Sequence, residues 1–149
     1  MKFDKPLIAM LLSIIGALPV GIFVEIMIFF HLTTINFFKA SSMMYMKQGS
    51  ILLGILSYIG YSAFLGLLMY HSPKMLGNDY FIIKCMFISM FSESLLFIIF
   101  GTLAGNMLLV QNTSGNYVHA SAAALGGITR GFLINKYLFK RSYSFGGNK

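Results

Sequence analysis

The chain has 149 residues, of which 57% are hydrophobic and only 10% are charged, and its mean hydropathy is +0.78. A soluble domain needs more polar surface than this composition provides, so the chain is predicted to be an integral membrane protein. The net charge of +7 does not indicate a nucleic-acid partner, because the basic residues lie mainly at the ends of apolar segments, where they act as topology signals.

The first apolar segment, residues 7–30, is predicted to be a transmembrane helix that is retained in the mature protein. A hydrocarbon core about 30 Å thick needs roughly 20 helical residues, and this segment is longer than the apolar region of a signal peptide. Pro19 and Gly21 predict a kink or a local unwinding within it. Residues 31–49 are too polar to span and too apolar to float freely, which predicts an interfacial segment.

The second predicted span covers residues 50–70, and the sequence HSPKMLGND after it is predicted to form a turn. Pro73, Gly77 and Asn78 are the residues expected to end the helix there. The third span is predicted over residues 81–104.

The fourth predicted span, residues 117–138, is the least hydrophobic one. It is still predicted to be a transmembrane helix, because a helix enclosed by other helices tolerates small and polar residues that a lipid-facing helix does not. With four spans most basic residues fall on one side of the membrane, so the positive-inside rule predicts both termini in the cytoplasm. The basic residues on that side are Lys2, Lys5, Lys74, Lys136, Lys140, Arg141 and Lys149, whereas Lys39 and Lys47 lie on the other.

Two charged residues are predicted to pair inside the membrane, Glu93 in the third span and Arg130 in the fourth. Glu93 lies roughly 18 Å and Arg130 roughly 12 Å from the cytoplasmic side, a difference that two long side chains can close. An isolated charge at such depth costs at least a few kcal/mol, and pairing removes much of that penalty. The pair is interpreted either as a structural bridge or as part of a proton or ion path.

A second polar group is predicted near the outer surface, where Glu25, His31 and His119 fall at similar depth. A carboxylate and two imidazoles can form an entry site for a metal ion or a proton. The alternative is that each of them is an ordinary interfacial polar residue.

Small residues recur at helical spacing and predict close helix packing, either within one chain or between copies of it. In the first span Gly21 lies one helical turn before Glu25, on the same face of the helix. In the fourth span small residues flank Arg130. The glycines predicted to mediate packing are Gly21, Gly101, Gly105, Gly127 and Gly131.

No motif for a hydrolase, a nucleotide-binding loop or a metal site occurs in the sequence, so the protein is predicted not to be an enzyme and to need no cofactor. The single cysteine, Cys85, excludes an intramolecular disulfide and a CxxC site.

The passage IFFHLTTINFF, the second span ending in LLMY, the turn KMLGNDY and the closing GGITRGFLINKYL resemble the layout of the YqhR-like small membrane proteins of Gram-positive bacteria. The resemblance covers most of the chain in order and spacing. It implies a bacterial cell membrane and four helices, and it transfers no catalytic residue.

These observations predict an all-α integral membrane bundle of four transmembrane helices in the plasma membrane, with both termini cytoplasmic. The first functional hypothesis is a non-enzymatic scaffold or accessory subunit that acts through helix packing in the bilayer, as a homo-oligomer or with other membrane proteins. The alternative is an oligomeric ion or proton permeation unit that uses the glutamates, His119 and Arg130. Whether the polar residues border a hydrated cavity or are closed in pairs distinguishes the two.

Overall fold

The computed structural model describes residues 4–43, 45–46, 48–99 and 112–139, and every regular element within these ranges is a helix. Three stretches are long enough and apolar enough to cross a membrane, Lys5–Phe29, Ile51–Leu76 and Phe81–Ile98, which is compatible with a membrane protein. The helices are α1 (Lys5–Gly16), α2 (Leu18–Phe29), α3 (Phe37–Ser42), α4 (Ile51–Leu76), α5 (Phe81–Ile98) and α6 (Thr113–Ile134), which a π-helical turn (Asn135–Phe139) extends.

The first apolar segment is broken between α1 and α2, as its proline predicts. The break falls at Ala17, whose N–H donates to the Ile14 carbonyl at 3.1 Å in a tightened last turn. Pro19 has no N–H to donate to the carbonyl of Ile15, so the regular hydrogen-bond ladder is interrupted just before it. Gly21 lies within α2, so the unwinding does not extend to it.

The Thr129 hydroxyl of α6 lies 2.6 Å from the Gly16 carbonyl at this break. We expect Thr129→Val, which keeps the shape and removes the hydroxyl, to lower the free energy of unfolding by about 1 kcal/mol, since that carbonyl then has no donor in an apolar setting. Unfolding in mixed micelles titrated with dodecyl sulfate measures the change, and Thr129→Ser is the control that keeps the hydroxyl. Equal stability of all three proteins would mean that the hydroxyl bonds only to the carbonyls of its own helix.

The segment after α2 contains the short helix α3, which packs against α4. Phe37 and Ser42 are among its buried residues, and the Asn36 side chain accepts from the Lys39 N–H at 2.7 Å to cap its first turn. Gly54 of α4 lies directly against the Phe38 carbonyl, so that a Cβ atom at position 54 would overlap with it. Part of the segment predicted to be interfacial is therefore folded onto the bundle.

Helix α4 continues beyond the second predicted span and ends at Leu76, with Pro73 inside its last turns. Pro73 cannot donate to the Met69 carbonyl, but the Ser72 hydroxyl donates to that carbonyl at 2.9 Å. The missing backbone hydrogen bond is thus replaced, and the helix ends only at Gly77, where φ is +75°.

Helix α6 occupies the centre of the bundle and contacts α1, α2, α4 and α5. It runs antiparallel to α5, since Gly131 lies against Cys85 and Gly127 against the backbone of Met86. These contacts need glycine, because a Cβ at position 127 would lie 2.5 Å from the Met86 Cα. Gly21 is half-buried beside the Phe38 ring, and Gly101 and Gly105 lie outside the described residues.

Two apolar clusters fill opposite ends of the bundle. The first apolar cluster joins the start of α1 and α5 to the end of α4 and α6, and consists of Ala9, Met69, Phe81, Cys85, Ile134 and Leu138. The second apolar cluster consists of Ala17, Val20, Val24, Phe37, Tyr58, Val118 and Ala122. The buried face of α6 also carries two polar side chains, His119 and Arg130.

Candidate functional site

Arg130 lies in the interior of the bundle and is 2% exposed. Its Nη2 lies 3.4 Å from the Ser62 Oγ of α4, while its Nε has no hydrogen-bond partner. The glycines on either side make room for it, since Gly16 of α1 touches its stem and Gly126 lies beside its Nη1. The small residues around Arg130 therefore let neighbouring helices surround its guanidinium.

Glu93 is also buried, and His119 of α6 is the titratable side chain within 4.0 Å of it. The Oε1 of Glu93 lies 3.7 Å from the His119 Nδ1, which is too far for a hydrogen bond, and neither atom has a hydrogen-bond partner among the described residues. The other ring nitrogen of His119, Nε2, lies 3.4 Å from the Thr33 hydroxyl.

Aromatic rings hold the His119 imidazole in place. Phe37 of α3 and Phe97 of α5 lie with ring centroids 5.0 and 5.2 Å from it. The residues just before α3 and the start of that helix therefore complete the site, because they supply both the Thr33 hydroxyl and one of the two rings.

The predicted contact between Glu93 and Arg130 is not present: among the described residues the one ion pair within 4.0 Å is that of Glu93 with His119. The reason is the antiparallel register of α5 and α6. Met86 lies opposite Gly127, so Glu93, seven residues further along α5, lies about two turns towards the start of α6, near His119. Both side chains are buried in the same low-dielectric interior, so an electrostatic interaction between them does not require direct contact.

Two tyrosines of α4, Tyr58 and Tyr61, lie close to Glu93, since all three side chains line one small cavity. The Tyr61 hydroxyl is buried without a hydrogen-bond partner. Sequence reasoning missed these residues, although polar side chains four apart in an apolar span, as Tyr58 and Ser62 are, indicate a polar face.

The predicted outer group of Glu25, His31 and His119 is not assembled. His119 is buried beside Glu93, whereas Glu25 and His31 are exposed, and Glu25 accepts from the Asn36 Nδ2 at 2.9 Å. Across the described part of the chain no three acidic, histidine or cysteine side chains are grouped so as to hold a metal ion. The depth estimate was too coarse, because it did not include which face of α6 His119 occupies.

Glu93 borders two spaces. A partly open crevice of about 180 Å³ between α5 and α6 is lined by Glu93 and His119, with Ser94 and Asn116 as its other polar residues. A smaller cavity of about 30 Å³ reaches Glu93 from the side of Tyr58 and Tyr61. The crevice between α5 and α6 is large enough for water and has several polar side chains in its lining. The arrangement therefore places two titratable groups with unused hydrogen-bonding atoms beside a space that water can occupy.

The described residues contain one buried carboxylate, Glu93, and one buried guanidinium, Arg130, since Asp4, Glu25 and Asp79 are exposed. An arginine keeps its proton in proteins. Glu93 is therefore the counter-charge available to Arg130 within the described interior. We name the neighbouring polar side chains Glu93, His119, Arg130, Tyr58, Tyr61 and Ser62 the buried polar network.

Comparison with protein-family models, with curated proteins and with solved structures finds no match for this chain. The class that the fold defines is thus a helical protein with three helices fit to cross a membrane and a polar interior.

Proposed function

We propose that the chain is a multi-pass protein of the plasma membrane in which α6 is a fourth crossing and both termini are cytoplasmic. Supporting this, the alternating helix directions bring Lys5, Lys74, Lys84 and Lys136 to the same end of the bundle, while Lys39 lies near the other. That asymmetry is what the positive-inside rule describes. The low hydropathy of α6 fits its central place, where neighbouring helices shield it from lipid.

We propose that the protein is a proton permeation unit whose titratable site is Glu93 with His119. The observation that carries the proposal is the unpartnered pair of Glu93 Oε1 and His119 Nδ1, 3.7 Å apart and facing a crevice that opens between α5 and α6. Intramembrane ionisable residues facing water-accessible spaces are the usual components of proton relays. A proton moving between the two groups needs only one intervening water or a small closure of that distance.

The ligands available favour a proton over a metal ion. One carboxylate and one imidazole are fewer than the three protein ligands of even an open zinc site, and calcium needs six or more oxygens. A proton needs only a group that changes its protonation state, and histidine does so near physiological pH.

The test is proton flux into liposomes that hold the purified protein, followed with a pH-sensitive dye under an imposed gradient. We expect Glu93→Gln to reduce the flux about tenfold or more, since it removes the titratable carboxylate from the path. His119→Gln should also reduce it, and this variant leaves both buried charges in place. Glu25→Gln, the same chemical change at an exposed carboxylate, should leave the flux as in the unaltered protein.

Circular dichroism and size-exclusion chromatography establish that each variant is folded before its flux is compared. A flux in the folded Glu93→Gln and His119→Gln proteins equal to that of the unaltered protein would contradict the proposal, and so would an unaltered protein that conducts no protons.

A scaffold or accessory subunit, without enzymatic activity, is the second candidate. Two observations favour it: Arg130 is enclosed by Gly16, Gly126 and Ser62, and the first apolar cluster fills the end of the bundle beyond it. In that case the polar network holds the helices in register, and the partners are the bilayer together with a second copy or another membrane protein. A silent protein whose network variants unfold would favour this candidate.

A further inference from the structure

An apolar groove separates α2 from α4 on the lipid-facing side of the bundle. It encloses about 740 Å³, with Tyr58 and Ser62 among its few polar residues and Glu25 at one end. The side chains along its walls are mainly aliphatic, including Ile14, Leu18, Ile22, Ile26, Ile55 and Ile59. A groove of this size lies within the range of about 300–1,000 Å³ typical of ligand sites.

The groove exists because the two halves of the first helix pack on different neighbours. In α1, Ala9 and Ser13 lie directly against Gly66 of α4, which closes the space between these helices. Beyond the break, α2 packs on α6, where Val20 lies against Gly126. The break at Ala17 therefore separates α2 from α4 over one half of the bundle only.

The part of the groove between Ile14 and Glu25 has the length of one leaflet. Along the first helix these residues lie about 16 Å apart at 1.5 Å per residue, and half of a hydrocarbon core is about 15 Å thick. On α4 the lining ends at Ser62, near the middle of that helix. A partner transmembrane helix needs a surface that continues through both leaflets, whereas an acyl chain ends near the midplane.

The groove carries a negative charge near one of its ends. Glu25 is exposed there, and it is the one charged residue of the groove lining. Its Oε1 accepts from Asn36, and within the described chain its other oxygen has no hydrogen-bond donor. A carboxylate at this position complements an ammonium headgroup and repels an anionic one.

We propose that the groove binds one acyl chain of a phospholipid whose primary ammonium headgroup donates to the free Glu25 oxygen, that is, phosphatidylethanolamine rather than phosphatidylcholine, whose nitrogen carries no hydrogen. The proposal depends on the membrane placement proposed above and not on proton flux. It extends the function of the chain to selective lipid binding, at a site that contacts the buried polar network through Tyr58 and Ser62.

The absence of tryptophan from the chain provides a clean test. Leu18→Trp places a single fluorophore in the groove at a position that is 65% exposed, and Gly60→Trp places one on α4 where no atom lies within 4 Å of a Cβ. Leu18 lies four residues after Ile14, and Gly60 lies two residues before Ser62, so both positions are near the midplane of the proposed membrane. The full chain is reconstituted in phosphatidylcholine vesicles with small fractions of brominated phosphatidylethanolamine or brominated phosphatidylglycerol, and quenching gives the relative binding constants.

At position 18 we expect phosphatidylethanolamine to be preferred over phosphatidylglycerol by roughly two- to fivefold, the range of an exposed ion pair. At position 60 the ratio should be near one, and adding Glu25→Gln should bring position 18 to the same ratio. This substitution keeps an oxygen acceptor for Asn36. If Leu18→Trp does not fold, Ile22→Trp reports on the same groove.

Equal ratios at the two positions would overturn the proposal, because position 18 would then face ordinary boundary lipid. So would a preference for phosphatidylglycerol. Weak quenching by both lipids at position 18, with normal quenching at position 60, would mean that a protein surface covers the groove. Each of these results is independent of whether the protein conducts protons.

Discussion

Replacing Gly127 by alanine is expected to lower the free energy of unfolding of the bundle by about 1–3 kcal/mol, the usual effect of overpacking. The new Cβ would lie 2.5 Å from the Met86 Cα and 2.6 Å from the Cys85 carbonyl oxygen. Both neighbours are backbone atoms, so no side-chain rotation relieves the overlap. Helices α5 and α6 must move apart instead, which also withdraws Glu93 from His119.

The matched control for this substitution is Gly60→Ala. Gly60 lies in the middle of α4 with nothing within 4 Å of a Cβ, so alanine there should stabilise the helix by up to about 1 kcal/mol. Denaturation of both variants with dodecyl sulfate in mixed micelles, monitored by circular dichroism, gives the two changes. Opposite signs are expected, and a gain in stability at position 127 would mean that α5 and α6 are not in contact there.

Replacing Arg130 by glutamine is expected to destabilise the bundle by about 1–3 kcal/mol, because it removes the charged donor beside the Ser62 hydroxyl and the buried cation that balances the charge of the Glu93 carboxylate. Adding Glu93→Gln to Arg130→Gln should restore part of that loss, although the two side chains are not in direct contact. Their electrostatic interaction through the low-dielectric interior should appear as a coupling free energy of about 0.5–3 kcal/mol.

A double-mutant cycle in the same micelles measures this coupling from the two single variants and the double variant. Glu25→Gln combined with Arg130→Gln is the control, since Glu25 is exposed and hydrogen-bonded to Asn36 and should show no coupling. Simple additivity for Glu93 and Arg130 would mean that the two charges are stabilised separately, and the buried polar network would then not act as a unit.

The sequence predicted much of the fold because hydropathy and helix-breaking residues act locally. The apolar segments correspond to the long helices, and Pro19 marks the break near Ala17. The end of the second span was misplaced, because Pro73 usually ends a helix and its lost hydrogen bond is replaced here by the Ser72 hydroxyl. Such a replacement depends on one rotamer, which no sequence pattern specifies.

The candidate site could be predicted only in part. Arg130 among small residues and Glu93 in an apolar span indicated buried charges, since a charge without polar flanking residues has no route to water. Their partners depend on the register between helices, and that register follows from where Gly127 and Gly131 meet α5. The role of Thr33 and Phe37 beside His119 depends on the chain folding back after α2, which the composition of residues 31–49 did not indicate.

By itself, then, the sequence determined that the chain is helical and apolar enough for a membrane, where its first apolar segment breaks, and that Glu93 and Arg130 are buried. Those properties follow from transfer free energies and backbone chemistry, and each depends on a few neighbouring residues. The tertiary structure alone decided that Glu93 faces His119, that Arg130 binds Ser62, and that a groove opens beside α2. These depend on how whole helix surfaces fit together, a property of pairs of segments far apart in the chain.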